Sequence, residues 1–449
     1  MSKLTLKSGA MAAGESLGQW LKERGVDQKN AYVVKQVKLL TEELGVLKGS
    51  LMKAGQLLST YGEHFLPPEA IEFLKTLQSQ SPSVEWGHMK QHLAKELSQD
   101  LLAELEIDPE PLAAASLGQV HRAKIKNTDE TIVLKIQYPN LQRVVDSDIK
   151  ALRRLLRVMN FLPKNGNYDN VFVEVKNMLT QELDYKKEAD HLDMIGQILQ
   201  KDSRFVVPKV YRSYSTQRVL AMSFEQGLSI DDPQVKKWPL ERRNNIGRSF
   251  LELYFMELFD FGFMQTDPHL GNYRVRPKEK KGDQLVLFNY GAVRQVPLKF
   301  LNDYYKIVLG SYDHNVDLIL EGALDLKMIE KGDPKKLVDR YLELCLLITE
   351  PFTPHDKDLP PLELSPPLPE GLIDERGNYD WGKSDLPKRV VAVGKDIILS
   401  FRLRTPPCEL IFLDRKLGGT FSFLSVLKCN LNGRALLDKW IYDPPRFRQ

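Results

Sequence analysis

The chain has 449 residues, 42% hydrophobic and 27% charged, an ordinary balance for a soluble globular protein, and it is long enough for two or three domains' worth of core or one larger fold with additions. A formal net charge of +3 is too small to argue for a nucleic-acid partner, though it leaves room for local basic patches near a membrane. Cys345, Cys408 and Cys429 are too sparse for a disulfide framework or a zinc site, and read as small buried hydrophobes in a reducing compartment.

No apolar run reaches the ~18 residues of a transmembrane helix. The start, Met1-Ser-Lys-Leu-Thr-Leu-Lys, has no apolar region of signal-peptide length; basic and acid-poor up to Glu15, it weakly resembles a transit peptide, and it reads first as a frayed terminus. Residues from about 28 to 100 read as helices. Val33, Val37, Leu40, Leu44, Leu47 and Leu51 recur at three- and four-residue steps, one apolar face at helical period. Pro67-Pro68 breaks that pattern, and a second helix follows through Ile71, Leu74 and Leu77. Ser83 is placed to cap a third.

From about residue 111 the pattern changes. Gly118–Ile125 and Thr131–Gln137 are short β-type runs, with Asn127–Glu130 between them as a hairpin turn. Residues 144–161 and 172–199 read as helices, and residues 204–222 hold two more strand-like pieces. Two strands, a helix and then more strands match a kinase small lobe. After Gly227 the chain is mostly helical, with a long apolar helix over 244–261 leading into a loop at Asp267. Two Pro-rich stretches between Pro351 and Pro369 read as a surface linker. The tail from about Lys388 is helical again, with Gly418-Gly419 interrupting it.

The chemistry concentrates in Gln265-Thr-Asp-Pro-His-Leu-Gly-Asn272, followed by Leu287-Phe-Asn-Tyr-Gly-Ala292. An Asp, an Asn five residues on, and a short strand ending in a turn with Gly is how a kinase-like fold builds its metal and phosphate site. A working kinase carries an Asp where this chain has Asn289. An amide oxygen is neutral, and a weaker ligand for a hard dication. Asp267 is the candidate to orient or deprotonate an acceptor hydroxyl, and Asn272, with Asn289, to hold a metal ion. His269 reads as structural and Arg274 as a solvent-facing strand residue.

Lys135 lies in a strand about twenty residues beyond a small-residue loop, Ala113-Ala114-Ala115-Ser116-Leu-Gly-Gln119, which occupies the place of a Gly-rich phosphate loop. Ala permits close backbone approach but not the φ > 0 geometry of Gly. A nucleotide-binding Lys needs a carboxylate partner, and Glu182, Asp184 and Glu188 offer one. Asp184 and Glu188, four apart, are expected on one helix face. In Lys53-Ala-Gly-Gln56, a Gly inside an apolar helix costs about 1 kcal/mol against Ala. Either tight helix packing explains it, or the helix passes close to something at which Lys53 and Gln56 point.

Together these pieces resemble the UbiB family, the aarF-domain atypical kinase-like proteins, over nearly the whole chain. Four elements carry the resemblance: Lys53-Ala-Gly-Gln56, Ala113-Ala-Ala-Ser116, Glu182-Leu-Asp184 with Glu188, and Asp267-Pro-His-Leu-Gly-Asn272. The tail Pro406-Pro-Cys-Glu-Leu-Ile-Phe-Leu-Asp-Arg-Lys-Leu-Gly-Gly419 also looks like the family's. The resemblance implies an α+β, protein-kinase-like bilobal fold with a helical N-terminal extension: extension 1–105, small lobe 106–222, large lobe 223–350, linker and tail 351–449. It implies that Lys53 and Gln56 face Glu182 and Asp184, that Lys135 pairs with Glu188, and that the chain binds ATP with Mg²⁺.

The implied activity is an ATPase supporting ubiquinone or isoprenoid-lipid metabolism at a membrane surface. The alternative is a nucleotide-binding pseudokinase scaffold, because Asn289 departs from the family's Asp. The implied partners are adenine nucleotide, a lipid or membrane surface and ubiquinone-pathway proteins, with no nucleic acid. The implied location is cytoplasmic, peripheral on the inner membrane, or mitochondrial in a eukaryote.

Overall fold

Alternating aliphatic residues, many of them β-branched, build one antiparallel sheet in the first half of the chain. The structure, a computed structural model, describes residues 50–61, 66, 68–76, 84–159, 161–162, 169–278, 282–352, 368–401 and 406–448. The helix expected through Val33–Leu47, Leu77, the cap at Ser83 and most of the Pro-rich linker lie outside the described residues. Two compact units emerge. One holds the described residues up to Ile198, with Pro208–Glu225 and Tyr290–Ala292; the other holds Leu199–Val207, Gln226–Asn289 and the rest from Val293.

In the first unit, β1 (Leu105–Ala115), β2 (Gly118–Ile125) and β3 (Thr131–Gln137) run on as hairpins. After the short β4 (Phe205–Val206), which belongs to the other unit, β5 (Val219–Ser223) completes the sheet in the order β1-β2-β3-β5. Ile132, Leu134 and Ile136 are fully buried on β3, with Lys135 between Val120 of β2 and Leu220 of β5. The expected loop over Ala113–Gln119 is instead a tight hairpin: Ala115 pairs with Gly118, and only Ser116 and Leu117 turn. Gly118 is there for strand packing, because a Cβ would lie 2.3 Å from the Ile136 carbonyl oxygen. β1 is an edge strand, largely exposed, carrying Pro109 and Pro111, with register shifts on either side of Pro111. Along the other edge, Val210 bridges Met222.

The Ser50–Tyr61 helix buries Ala54, Leu57 and Leu58 and packs on the Leu141–Val158 and Asp169–Glu182 helices. The helix expected to run unbroken over 172–199 divides at Leu183-Asp184 into Asp169–Glu182 and Tyr185–Ile198. Asp184 therefore shares no helix face with Glu188. Its carboxylate accepts from the Lys187 N–H at 3.2 Å and its carbonyl from the Glu188 N–H at 3.1 Å, capping the second helix.

In the second unit, the Leu240–Met256 helix runs into a π-turn at Glu257–Phe261, ended by Gly262 at φ 73°. β6 (Phe263–Gln265) follows, then β7 (Tyr273–Arg276) and β8 (Gln284–Leu287), ordered β4-β8-β7, while β9 (Val293–Gln295) pairs with β6. Helices make up most of the remainder. The Cys408–Val426 helix stacks Phe423 on Phe250, ring centroids 3.8 Å apart, and Gly418-Gly419 does not interrupt it. Gly419 sits where a Cβ would lie 2.2 Å from Pro268 Cβ, so the glycine serves close approach to the Asp267-Pro268 segment, not a break. Among the described residues no helix is long and apolar enough to cross a membrane.

Candidate functional site

The residues singled out above fall in both units, with the Lys135–Glu188 and Lys53–Glu182 pairs in the first and a polar cluster around Asp267 in the second. In the first unit Lys135 Nζ lies 2.7 and 2.8 Å from the two carboxylate oxygens of Glu188. Glu188 is buried, and the Lys135 ammonium sits 4.7 Å from the centre of the Tyr185 ring. β3 fixes the lysine and the first turn of the Tyr185–Ile198 helix fixes the glutamate. An ammonium has three protons; two go to Glu188, leaving one for another acceptor. Burial first, then the Glu188 charge, pushes the Tyr185 hydroxyl well above its ordinary range, so the ring stays neutral. Three residues beyond Glu188, His191 Nδ1 donates to the Tyr290 carbonyl at 2.9 Å.

Lys53 Nζ meets Glu182 Oε2 at 3.0 Å, both side chains largely buried. Gln56 lies three residues on in the same helix and is half-buried. Ala113, Ala114, Ala115 and Ser116 lie at the tip of the β1–β2 hairpin, and none has a positive φ.

In the second unit the Asp267 carboxylate is nearly buried and has partners on both oxygens. Arg415 Nη2 donates to Oδ1 at 2.9 Å, and Asn272 Nδ2 to Oδ2 at 3.2 Å. Asn272 Nδ2 also donates to the Asp267 carbonyl at 2.7 Å. Asn289 Nδ2 donates to Asn272 Oδ1 at 2.9 Å. Behind Asp267, Gln265 Nε2 donates to its carbonyl at 2.8 Å, and Tyr273 donates to Gln265 Oε1 at 3.1 Å. Lys416 Nζ reaches the same oxygen at 3.5 Å and meets Glu257 Oε2 at 2.9 Å, the pair 1% and 0% exposed. Burial pushes the Glu257 carboxyl up, and the Lys416 charge opposes it.

His269 accepts from the Gly271 N–H at 3.0 Å on Nδ1, a local structural bond. Arg274 is not solvent-facing. It is half-buried, donates to the Tyr273 carbonyl at 2.9 Å and lies over the Phe288 ring, and desolvation lowers its pKa. Tyr290 is fully buried. Of the cysteines, Cys345 and Cys429 are buried but Cys408 is exposed, which corrects the reading of all three as core.

Gln265, Arg415 and Lys416 lie inside stretches noted from the sequence but, like Glu257, carry no role in that reading. The available signal was the charged run Asp414-Arg415-Lys416 inside a helix whose other large side chains from Leu410 to Leu424 are apolar, because a buried Lys requires a partner.

A divalent cation at Asp267 and Asn272 is the test of a kinase-like metal site. The oxygen of Asn272 that would face it already accepts from Asn289, and the carboxylate is paired with a guanidinium. Among the described residues no group of three His, Cys, Asp or Glu side chains is placed to hold a metal. Mg²⁺ takes charged oxygen ligands in near-ideal octahedral geometry, and this donor set fits it poorly.

The model of the ABC1 atypical kinase-like domain matches residues 76–323. "Atypical kinase COQ8, mitochondrial" of Schizosaccharomyces pombe is 27% identical over 403 residues, 90% of this chain and 62% of that protein. "Atypical kinase COQ8B, mitochondrial" of Rattus norvegicus is 29% identical over 400 residues, 88% of this chain and 70% of that protein. The chain thus spans less than two thirds of the fission-yeast relative. The solved Rv3197–erythromycin complex from Mycobacterium tuberculosis is 23% identical, with a TM-score of 0.59 over 96% of this chain and 99% of that one, a likeness of fold. The fold is α+β and kinase-like, and the chain belongs to the ABC1 atypical kinase-like family, the UbiB family that its motifs resemble.

Proposed function

We propose that this chain binds adenine nucleotide as an atypical kinase-like protein and serves ubiquinone or isoprenoid-lipid metabolism at a membrane surface, within the mitochondrion in a eukaryotic cell. One observation carries the nucleotide reading: the pairing of Lys135, 20% exposed, with the buried Glu188, 2.7 Å apart. In kinases a strand lysine holds the nucleotide phosphates only when a helix glutamate positions it, and here both are in place with one ammonium proton left for phosphate. The small hairpin residues Ala113–Ser116 would admit a phosphate chain to the backbone. The pathway reading leans on the named COQ8 and COQ8B relatives and their mitochondrial designation.

The test is thermal melting with and without ATP. A ligand at a hundredfold excess over its Kd stabilises a fold by roughly 2.7 kcal/mol. The parent protein's melt should rise with ATP and that of Lys135→Ala should not. Identical parent melts with and without ATP sink the reading.

A second reading, a scaffold with little or no ATP turnover, is favoured by Asn289. Its amide contributes no charge, and its N–H engages the Asn272 oxygen. Lys53, paired with Glu182, restrains nucleotide use in either reading and does not promote phosphotransfer.

A further inference from the structure

We propose that the Arg415 guanidinium stands in for a divalent cation at Asp267, so that this chain takes up adenine nucleotide without Mg²⁺; the proposal rests on the nucleotide-binding reading above. Asn272 shows how closed the place is. Its Nδ2 has two acceptors on one residue, the Asp267 carbonyl at 2.7 Å and Oδ2 at 3.2 Å. An amide oxygen turned toward them would face two oxygens with no proton between, so the orientation is fixed. Oδ1 must then point at Asn289, whose Nδ2 donates to it at 2.9 Å. A cation arriving at Oδ1 meets an N–H that a carboxylate at position 289 would not present.

Charge makes the same point. Among these four side chains Asp267 carries one negative charge, Arg415 one positive, and Asn272 and Asn289 none, so the four sum to zero without a metal. A dication would be drawn by one carboxylate and repelled by the guanidinium already on it. An Asp at 289 would leave a net negative cluster, the condition Mg²⁺ sites meet.

Arg415 is also held in place. Four residues on, Gly419 brings the helix against Pro268, next to Asp267. One residue on, Lys416 is tied to Glu257 at 2.9 Å with both side chains buried. The guanidinium is therefore delivered by a helix anchored on either side of Asp267 in sequence, at Glu257 and at Pro268. Its side chain is only 14% exposed, which shields the pair from the screening that weakens surface ion pairs.

The experiment is calorimetric titration of the whole chain with ATP, once in EDTA and once in excess Mg²⁺, with Mn²⁺ alone as a metal probe. The two ATP dissociation constants are expected within about threefold of each other, with no Mn²⁺ uptake by the nucleotide-free protein. Arg415→Lys, which keeps the charge, should behave like the parent. Arg415→Met combined with Asn289→Asp should bind ATP about tenfold or more tightly with Mg²⁺ than in EDTA. Parent protein that binds ATP only with Mg²⁺ overturns the proposal and leaves the nucleotide reading standing. Parent protein that binds no ATP in either condition overturns both. A folded double variant as indifferent to Mg²⁺ as the parent removes Arg415 from the explanation and overturns it too. If the double variant does not fold, the parent comparison decides alone.

Discussion

Replacing Lys416 by Met tests the polar cluster behind Asp267 without touching Asp267. Lys416 and Glu257 are 1% and 0% exposed and 2.9 Å apart. Removing the lysine leaves a carboxylate where water does not reach, and breaking such a pair on one side typically costs 3–5 kcal/mol. The structure bounds the loss independently, because the orphaned carboxyl escapes by taking up a proton. Its ordinary value is 4.5, and each pH unit above that is worth about 1.36 kcal/mol, so protonation costs about 3.4 kcal/mol at pH 7 and about 0.7 at pH 5.

The sign follows from linkage. Burial already raises the folded-state pKa of Glu257, and the Lys416 charge opposes that rise; without Lys416 it rises further. The folded state then holds a proton that the unfolded state has lost, so stability falls as pH climbs from the unfolded value to the raised folded one. Urea unfolding followed by tryptophan fluorescence, with Trp381 buried in the same unit, should show Lys416→Met weaker than the parent by about 3 kcal/mol at pH 7 and by under about 1 kcal/mol at pH 5. The double variant with Glu257→Gln should lose that pH dependence. An equal loss at both pH values, or a loss below about 1 kcal/mol at pH 7, refutes the account of the pair.

Asn289→Asp restores a carboxylate of nearly the same shape and should raise phosphate release from ATP several-fold and make it more dependent on Mg²⁺, since charged ligands dominate binding of that ion. If the parent already hydrolyses ATP as fast, another carboxylate carries the reaction and the low-turnover reading fails. Lys53→Ala should change nucleotide affinity or turnover while leaving the far-UV circular dichroism as it was; unchanged affinity and turnover would reduce the motif to helix packing. Gly419→Ala would gain about 1 kcal/mol of helix propensity on an open helix, but its Cβ would lie 2.2 Å from Pro268 Cβ. A net loss of about 1–3 kcal/mol in urea unfolding is therefore expected, and a stabilised variant would show that the contact yields without strain.

Local pattern made much of this legible in advance. The runs at 118–125 and 131–137 are strands β2 and β3 to the residue, and the helix into the Asp267 loop ends near its expected boundary. The failures have physical causes. Ala113–Gln119 reads as a loop because Ala and Ser carry no strand signal, whereas the register with β2 carries the strand to Ala115. The helix break at Asp184 was hidden because Asp inside an apolar-periodic run looks like an exposed helix position until its carboxylate is seen capping the next turn. Gly418-Gly419 reads as a breaker because the reason for Gly419 is Pro268, some 150 residues away. The same separation hid Arg415, whose partner is 148 residues upstream, and periodicity carries no information about such contacts.

The two borders of the β1-β2-β3-β5 sheet bear on how copies of this chain behave toward one another. An exposed strand with free N–H and C=O groups is a template on which another chain can add a strand. β1 is long and exposed, yet Pro109 and Pro111 lack the N–H a newcomer would need, the register shifts bend the backbone there, and Glu106, Asp108 and Glu110 place acid along it. At the far border the chain's own 209–211 segment is already in position: the Tyr211 N–H bonds the Ala221 carbonyl at 2.9 Å and the Ser223 N–H the Lys209 carbonyl at 2.9 Å. The sheet is finished on one side by residues that refuse a partner and on the other by a partner from the same chain. Assembly by strand addition is thereby discouraged at both ends of the sheet.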